Sequence, residues 1–370
     1  MKNSNDIRPP VNGKAGRIVI AGPCSAESPR QMMETARVLA ASGQVDFFRA
    51  GVWKPRTSPG SFQGVGSRAL KWLQEVKQET GLAICTEVGS VQHAVESLDH
   101  GLDMVWIGAR TVSNPFVVQE IADVLKGSGI HVMVKNPMAP DLDLWAGSIQ
   151  RLRQSGTEKV WAIHRGFFYW ARSVFRNHPW WHLPMELKAR MPDLPVICDP
   201  SHIAGDRRLV PMLVQRAMEM PFDGLMIEVH PDPDKALSDA SQQLTPAAFL
   251  QMMSHNFRKQ NPGKEKQNRV LDELRAEIDG IDQLLVWALS KRMKLAGEIA
   301  GIKRRHRMAL HQPGRWEQVI QKVTSLGQEG GLRSDFITKL FEDIHHESLS
   351  VQQRQKQQRI ISGNRPTFVR

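Results

Sequence analysis

The 370-residue sequence predicts an α/β fold, a (β/α)8 barrel followed by a smaller all-α three-helix domain. Three observations predict it. Between Arg17 and about Met253, eight short apolar runs alternate with helix-length segments. Beyond a polar stretch at 255–268, only helical spacing remains. The length also suits a barrel of about 250 residues plus a smaller unit.

The runs centre on Val19, Phe47-Phe48, Ile84, Val105-Trp106, Val132-Met133, Trp161-Ala162, Val196-Ile197 and Met226-Ile227. Each is apolar at consecutive positions, as parallel strands buried on both faces require. Eight such strands close a barrel, and an open doubly wound sheet is the competing arrangement. No Gly-x-Gly-x-x-Gly follows any run, and Gly64-Val65-Gly66 falls in a loop. The polar stretch His255–Asn268 contains Pro262-Gly263 and reads as a linker. After it, Leu271, Leu274, Ile278, Ile281, Leu285, Leu289, Leu295, Ile299 and Ile302 recur at three- and four-residue steps of a long helix. Pro313-Gly314 breaks that helix, 327–331 breaks a second, and a third covers Phe336 to Gln358. The expected boundaries are an extension at 1–16, a barrel at 17–254, a linker at 255–268, a helical domain at 269–358 and a tail at 359–370. Three helices bury little surface alone, so the domain is expected to dimerise, giving a homodimer or a tetramer.

Composition narrows the function. A 41% hydrophobic fraction supports a sizeable core, and no stretch approaches the roughly 18 apolar residues that span a bilayer. Met1–Lys14 lacks an apolar signal core, and three cysteines make no disulfide framework, so a cytoplasmic protein is expected. The net charge of +11 forms no basic stripe with a recognition motif, which argues against nucleic acid and for anionic small substrates drawn into a cleft.

The barrel topology gathers dispersed residues. Cys24 follows strand one, His202 follows strand seven, and Glu228 ends strand eight, with Asp239 just beyond. In a closed barrel strand eight pairs with strand one, so a thiolate, an imidazole and two carboxylates meet at one rim and form a divalent-metal site. That donor set suits manganese, and also admits iron(II), cobalt(II) or zinc. Basic groups stand after four other strands: Lys54 and Arg56, Arg110, Lys135 and Arg165. Together they suit phosphorylated or carboxylated substrates. Taken singly, each would more often be a structural ion pair, and Cys24 a small buried hydrophobe. Asp199 and Ser201 are expected to cap a helix, and Cys85 and Cys198 to be core thiols.

The motifs Gly22-Pro23-Cys24-Ser25, Lys54-Pro55-Arg56-Thr57, Asp199-Pro200-Ser201-His202, Ile227-Glu228-Val229-His230 and Ser238-Asp239 resemble those of DAHP synthase, most closely its type I-beta group. The resemblance spans residues 17 to about 255. It implies a metal-dependent TIM barrel that condenses phosphoenolpyruvate with erythrose 4-phosphate. Cys24, His202, Glu228 and Asp239 would be its metal ligands. Arg110, Lys135 and Arg165 would hold phosphoenolpyruvate, with Lys54 nearby, and Arg56 and Thr57 would meet the erythrose phosphate. Lys54 would protonate the developing alkoxide and Glu87 would handle the proton of the attacking water. The rival is KDO 8-phosphate synthase, whose Lys-Ala-Asn-Arg-Ser motif is replaced here by Lys-Pro-Arg-Thr. About sixteen residues precede the first strand, fewer than the ferredoxin-like regulatory domain of some relatives needs.

In the helical domain, Arg275, Arg292 and Lys303 interrupt an apolar helix face. At 100° per residue the step from Arg292 to Lys303 returns to nearly the same face, whereas the step from Arg275 does not. Ser348 and Gln352 sit one turn apart, with Gln312 and Arg315 around the bend. By default such residues form a charged, solvated helix surface. The pattern resembles AroQ-class chorismate mutase across about 268–355. That implies Arg275, Arg292, Lys303, Gln312, Arg315, Ser348 and Gln352 as substrate-binding residues, with Arg275 reaching a partner's site, and Arg292, Lys303 and Gln352 catalytic. No cofactor is implied there, because a cationic cavity suffices for a pericyclic rearrangement of chorismate to prephenate. The alternatives are a ligand-sensing domain that conveys feedback inhibition by prephenate or chorismate, and a purely structural dimerisation bundle.

Overall fold

The computed structural model describes residues 17–55, 60–170, 173–256, 265–309 and 312–363, with side chains only in part from 255 to 287, and none at 304, at 313 or beyond 353. Eight parallel strands form a closed barrel in sequence order: β1 (Ile18–Gly22), β2 (Phe47–Arg49), β3 (Ala83–Val88), β4 (Met104–Ile107), β5 (His131–Lys135), β6 (Val160–His164), β7 (Val196–Cys198) and β8 (Gly224–Glu228). Every strand lies on a run identified from the sequence. Closure comes from β1 pairing with β8, in register from Ile18 opposite Gly224 to Gly22 opposite Glu228. The open doubly wound sheet is thereby excluded.

The helices between strands are α1 (Pro29–Ala41), α2 (Arg68–Thr80), α3 (Val91–Asp99), α4 (Pro115–Leu125), α5 (Leu142–Gln154), α6 (His182–Arg190), α7 (Pro200–Ala204) and α8 (Val210–Glu219), and α9 (Pro246–Asn256) follows β8. Local chemistry starts several of them. Ser28, Asn114, Asp141 and Asp199 accept backbone N–H groups at the starts of α1, α4, α5 and α7, satisfying donors that have no partner within the helix.

Side-chain parity divides the core in two. Ile20, Phe47, Cys85, Met104, Trp106, Met133, Trp161, Ile163, Ile197 and Met226 fill the barrel interior. Their neighbours, such as Val19, Phe48, Ile84, Val105 and Val132, pack outward beneath the helices. Two residues beyond an inward position, parity points inward again. Arg49, Glu87, Lys135 and Glu228, each two residues past Phe47, Cys85, Met133 or Met226, therefore cap the interior at the C-terminal ends of their strands. Gly22 permits the tight exit from β1: its φ is +149°, and a Cβ there would lie 2.2 Å from the Arg49 carbonyl oxygen.

The chain divides into two compact units, Met1–Asn261 and Pro262–Arg370. In the second, α10 (Glu265–Arg305), α11 (Pro313–Glu329) and α12 (Ser334–Gly363) form a helical group in which α10 and α11 both pack on α12. α10 begins inside the stretch read as linker, and α12 continues into residues assigned to the tail. Glu, Lys and Gln are good helix formers, so polarity alone does not end a helix. Pro313 and Gly314 open α11, where a proline without an N–H costs nothing. Gly327 lets α11 approach α12 closely, since a Cβ there would meet Ile337 Cγ1 at 2.6 Å. No helix among the described residues is long and apolar enough to cross a membrane.

Candidate functional site

The rim of the barrel holds an acidic, thiol-containing cluster. Cys24, two residues past β1, is fixed by donating its backbone N–H to Gln243 Oε1 at 2.9 Å. Its Sγ donates to Asp239 Oδ2 at 3.3 Å. Cys24, Glu228 and Asp239 each offer a donor atom within 4.8 Å of the others. His202, on α7, the fourth expected ligand, stands outside that group of three: its Nε2 lies 3.7 Å from Glu228 Oε1, while its Nδ1 faces Asp199 Oδ2 at 2.8 Å. Asp239 adopts φ 47°, a left-handed conformation that costs a non-glycine residue about 1–2 kcal/mol and that aspartate tolerates better than most.

A layer of polar groups orients these donors. Glu228 accepts from Gln242 Nε2 at 2.8 Å through Oε2, and its backbone N–H donates to Ser201 Oγ at 3.0 Å. Ser201 therefore ties α7 to β8 rather than capping the helix, a correction to its expected role. Asp199 caps α7 as expected. Arg49, fully buried, sets Nη2 at 3.3 Å from Glu228 Oε1 and stacks over Trp106 at 4.9 Å. Glu228 Oε1 is nevertheless buried without a well-aligned hydrogen bond. An unsatisfied buried acceptor costs about 1–3 kcal/mol, and more when charged, unless something else satisfies it.

The electrostatics agree with that incompleteness. Burial, with Glu228 and Asp239 close by, pushes the Cys24 thiol up to about 12. Burial opposes ionisation of Glu228 and Asp239 as well, but His202 and the nearby guanidinium groups outweigh it and hold both carboxyls below their ordinary range. Two ionised carboxylates and a protonated thiol thus crowd one buried spot. A divalent cation fits such a donor set, which would then release the thiol proton.

Opposite the acidic cluster stands a group of cations. Lys54 is buried; burial alone would lower its pKa, but Cys24, Glu87 and Glu228 draw it above the ordinary lysine value. Lys135 Nζ pairs with Asp199 Oδ2 at 3.1 Å and lies over the Trp106 ring at 5.8 Å. Arg165 is buried, donates to Asn177 Oδ1 at 2.8 Å, and is lowered to about 10 by burial and by the neighbouring Arg176 and Arg110. Arg110 is exposed on the turn after β4. Glu87 is half-buried and accepts from Trp106 Nε1 at 3.1 Å. Arg56 and Thr57 lie outside the described residues.

Sequence reasoning missed Arg49, Arg176 and Gln242. Arg49 carries a legible signal, a charge two residues past inward-facing Phe47. Arg176 does not: it lies in the long β6–α6 connection, where no strand parity applies. Cys85 and Cys198 are buried thiols, as expected.

In the helical unit, Arg292 Nη1 donates to Ser348 Oγ and, at 3.4 Å, to the Ile344 carbonyl. Burial lowers the Arg292 pKa. One turn beyond Ser348, Gln352 is buried with its Oε1 unpartnered. Lys303 is half-buried near the end of α10. Gln312, half-buried, accepts through its carbonyl from the Arg315 and Trp316 N–H groups at the start of α11, and exposed Arg315 donates to Gln318 Oε1 at 3.3 Å. The Arg275 side chain lies outside the described residues.

The pattern of the DAHP synthetase I family matches residues 3–280. The chain belongs to that family. A second pattern, chorismate mutase type II, matches residues 274–353. A phospho-2-dehydro-3-deoxyheptonate aldolase of Thermotoga maritima is 32% identical over 235 residues, covering 64% of this chain and 67% of that protein. A crystal structure of the Thermotoga maritima enzyme of that name superposes with a TM-score of 0.60 at 30% identity, covering 66% of this chain and 68% of the other. A 2-dehydro-3-deoxyphosphooctonate aldolase of Nitratidesulfovibrio vulgaris is 28% identical over 247 residues, covering 61% of this chain and 85% of that protein. The chain thus joins a DAHP synthase, a transferase, to a chorismate mutase, an isomerase, and is a bifunctional enzyme of aromatic biosynthesis.

Proposed function

We propose that the barrel condenses phosphoenolpyruvate with erythrose 4-phosphate at a divalent-cation site held by Cys24, His202, Glu228 and Asp239. The observation that carries this reading is the buried, unsatisfied Glu228 Oε1 within a cysteine–carboxylate cluster that faces a set of buried cations. A divalent cation bound there would supply Lewis-acid polarisation of the aldehyde oxygen. Arg165, Lys135 and Arg110 bind the phosphate and carboxylate of phosphoenolpyruvate, and Arg56 and Thr57 meet the erythrose phosphate. Carbon three of phosphoenolpyruvate bonds to the aldehyde carbon, and Lys54 Nζ gives a proton to the alkoxide that results. Water adds at carbon two, losing its proton to Glu87, and the tetrahedral intermediate expels inorganic phosphate. The fixed cations stabilise the accumulating charge without reorganising. Manganese is the expected ion, with iron(II), cobalt(II) or zinc also compatible with these donors. Metal-stripped enzyme should form no product until a divalent ion is restored, and full turnover under strong chelation would defeat the metal assignment. Replacing erythrose 4-phosphate with arabinose 5-phosphate should stop turnover, which separates this reading from the octonate chemistry named for the second relative.

The helical unit rearranges chorismate to prephenate, with Arg292, Lys303 and Gln352 facing the reacting ether and carboxylates, and Arg275, Gln312, Arg315 and Ser348 completing the cavity. What supports this is Gln352, whose buried oxygen lacks a partner one turn from the Arg292–Ser348 contact. Exposed Ile278, Leu285, Ile299 and Ile302 repeat at coiled-coil steps along α10, and Arg292 falls in the same series. A second copy of the chain would cover that stripe, giving at least a dimer. Tethering a downstream product site to the committing enzyme also favours feedback control, so saturating prephenate should slow the synthase. Unchanged synthase rates would remove the regulatory part alone.

A further inference from the structure

Arg176 belongs to no strand end, and none of the chemistry above uses it. Its position is nonetheless built with care. The backbone is pinned to α7, with Arg176 N–H donating to the Ala204 carbonyl at 3.1 Å and Asn177 N–H to the Ile203 carbonyl at 3.2 Å. Gly205 makes the approach possible: its φ is +69°, and a Cβ there would lie 2.3 Å from Arg176 Cβ. From this anchor Nη1 donates to Asp239 Oδ1 at 3.0 Å and to Gln242 Oε1 at 2.8 Å. Gln242, fully buried, passes the contact on by donating Nε2 to Glu228 Oε2 at 2.8 Å. One oxygen of each carboxylate is thereby engaged from behind. The other oxygens, Asp239 Oδ2 beside Cys24 Sγ and Glu228 Oε1 beside His202 Nε2, are the ones left toward the donor cluster.

We propose that Arg176 is a positioning residue for the cation site, selecting directly at Asp239 and through Gln242 at Glu228 which carboxylate oxygen faces the metal. The proposal rests on the metal reading above. It makes a prediction opposite in sign to simple electrostatics. A guanidinium acting only through its charge would repel a bound cation, so neutralising it would tighten binding. A guanidinium acting by orientation loosens binding when removed. It also loosens binding when replaced by lysine, which keeps the charge but lacks the planar guanidinium whose two Nη1 hydrogens are aimed at Asp239 and Gln242.

The test is cobalt(II) titration of the metal-stripped full-length chain, followed by the thiolate-to-cobalt absorption of Cys24. Arg176→Gln should weaken cobalt binding about 10- to 100-fold, the usual effect of losing a partner that orients a ligand. Arg176→Lys should weaken it in the same direction, and Gln242→Leu should reproduce the loss, with the double variant falling short of additivity. Melting of the metal-free chain serves as the folding control. Cobalt affinity equal to or tighter than wild type in a folded Arg176→Lys or Arg176→Gln chain overturns the proposal. A wild-type chain that takes up no cobalt overturns the metal reading, and this inference with it.

Discussion

The two units build their sites by different routes. In the barrel, strand ends and the turns that follow them deliver side chains to a common rim, so residues at the ends of β1, β2, β3, β5, β7 and β8 converge although they are scattered across the sequence. Their orientation is fixed twice, by strand parity and by a polar layer in which Gln242, Gln243, Ser201 and Arg49 each hold a neighbour. In the helical unit, Arg292 and Ser348 meet through helix packing alone, with Gln352 one turn further along α12, and a long apolar stripe on α10 stays exposed. Among the described residues the Cys24–Glu228–Asp239 cluster is built within one chain, whereas the helical unit exposes an apolar stripe that asks for a second chain. The lesson is that a parallel barrel can concentrate chemistry by topology, while a small helical bundle must borrow surface to do so.

The sharpest consequence is functional independence. If the proposed cation site is right, Cys24→Ala should lower DAHP formation about a thousandfold or more, because Lewis-acid stabilisation would contribute several kcal/mol and each ~1.4 kcal/mol is a factor of ten. Chorismate turnover by the same preparation should stay at the wild-type rate. A parallel fall in both assays would show that the two sites are not separate. The converse variant, Arg292→Ala, should lower chorismate turnover about 100- to 1000-fold, the usual effect of removing one fixed donor to a developing charge. Turnover retained by Arg292→Ala would end its catalytic assignment.

The same contrast explains what the sequence reveals. All eight strands are legible because parallel strands buried on both faces read as continuous apolar runs, and the barrel is the arrangement that brings Cys24 and Glu228 together. The long helices are legible because their spacing persists over many turns. Less legible are side chains whose role depends on distant loops. Ser201 looks like a cap by its position after Asp199, yet its hydroxyl accepts from the Glu228 N–H, a contact between α7 and β8 that no local pattern announces. Arg176 is hidden for the same reason, since its partners lie 63 and 66 residues away in sequence. Arg49 is an intermediate case: parity identifies it, but only once β2 has been placed. Among the helices, the periodic stripe marks the surface to be covered without saying which residues cover it.

Interrupting that stripe tests whether the helical unit depends on a partner. Leu285→Asp places a charge on an exposed apolar position of α10 and should shift the chain toward monomer in sedimentation velocity at micromolar concentration. Chorismate turnover should fall with the dimer fraction, while DAHP formation changes little. A variant that remains fully dimeric would show that another surface holds the assembly together.

The smallest expected effect concerns the stability of the barrel in acid. His164, the last residue of β6, has outward parity and is buried among Trp145, Phe167, Trp181 and Phe222, and burial draws its pKa down to about 3. Between that value and the ordinary histidine value near 6.5, the unfolded chain binds a proton that the folded chain does not. Stability from this group is therefore complete above about pH 6.5 and declines as the pH falls toward 3. From pH 6.5 to 5 the loss is roughly 2 kcal/mol at ~1.4 kcal/mol per unit. His202, also lowered by burial, acts in the same direction. The barrel transition should therefore move down by several degrees over that interval in calorimetry, and His164→Gln should flatten the dependence even if it lowers the transition at neutral pH. An unchanged slope in that variant would place the acid sensitivity elsewhere, most directly in the carboxylates Asp199 and Asp239. Their pKa values lie well below the ordinary range, so their contribution should be lost only as the pH falls below about 4.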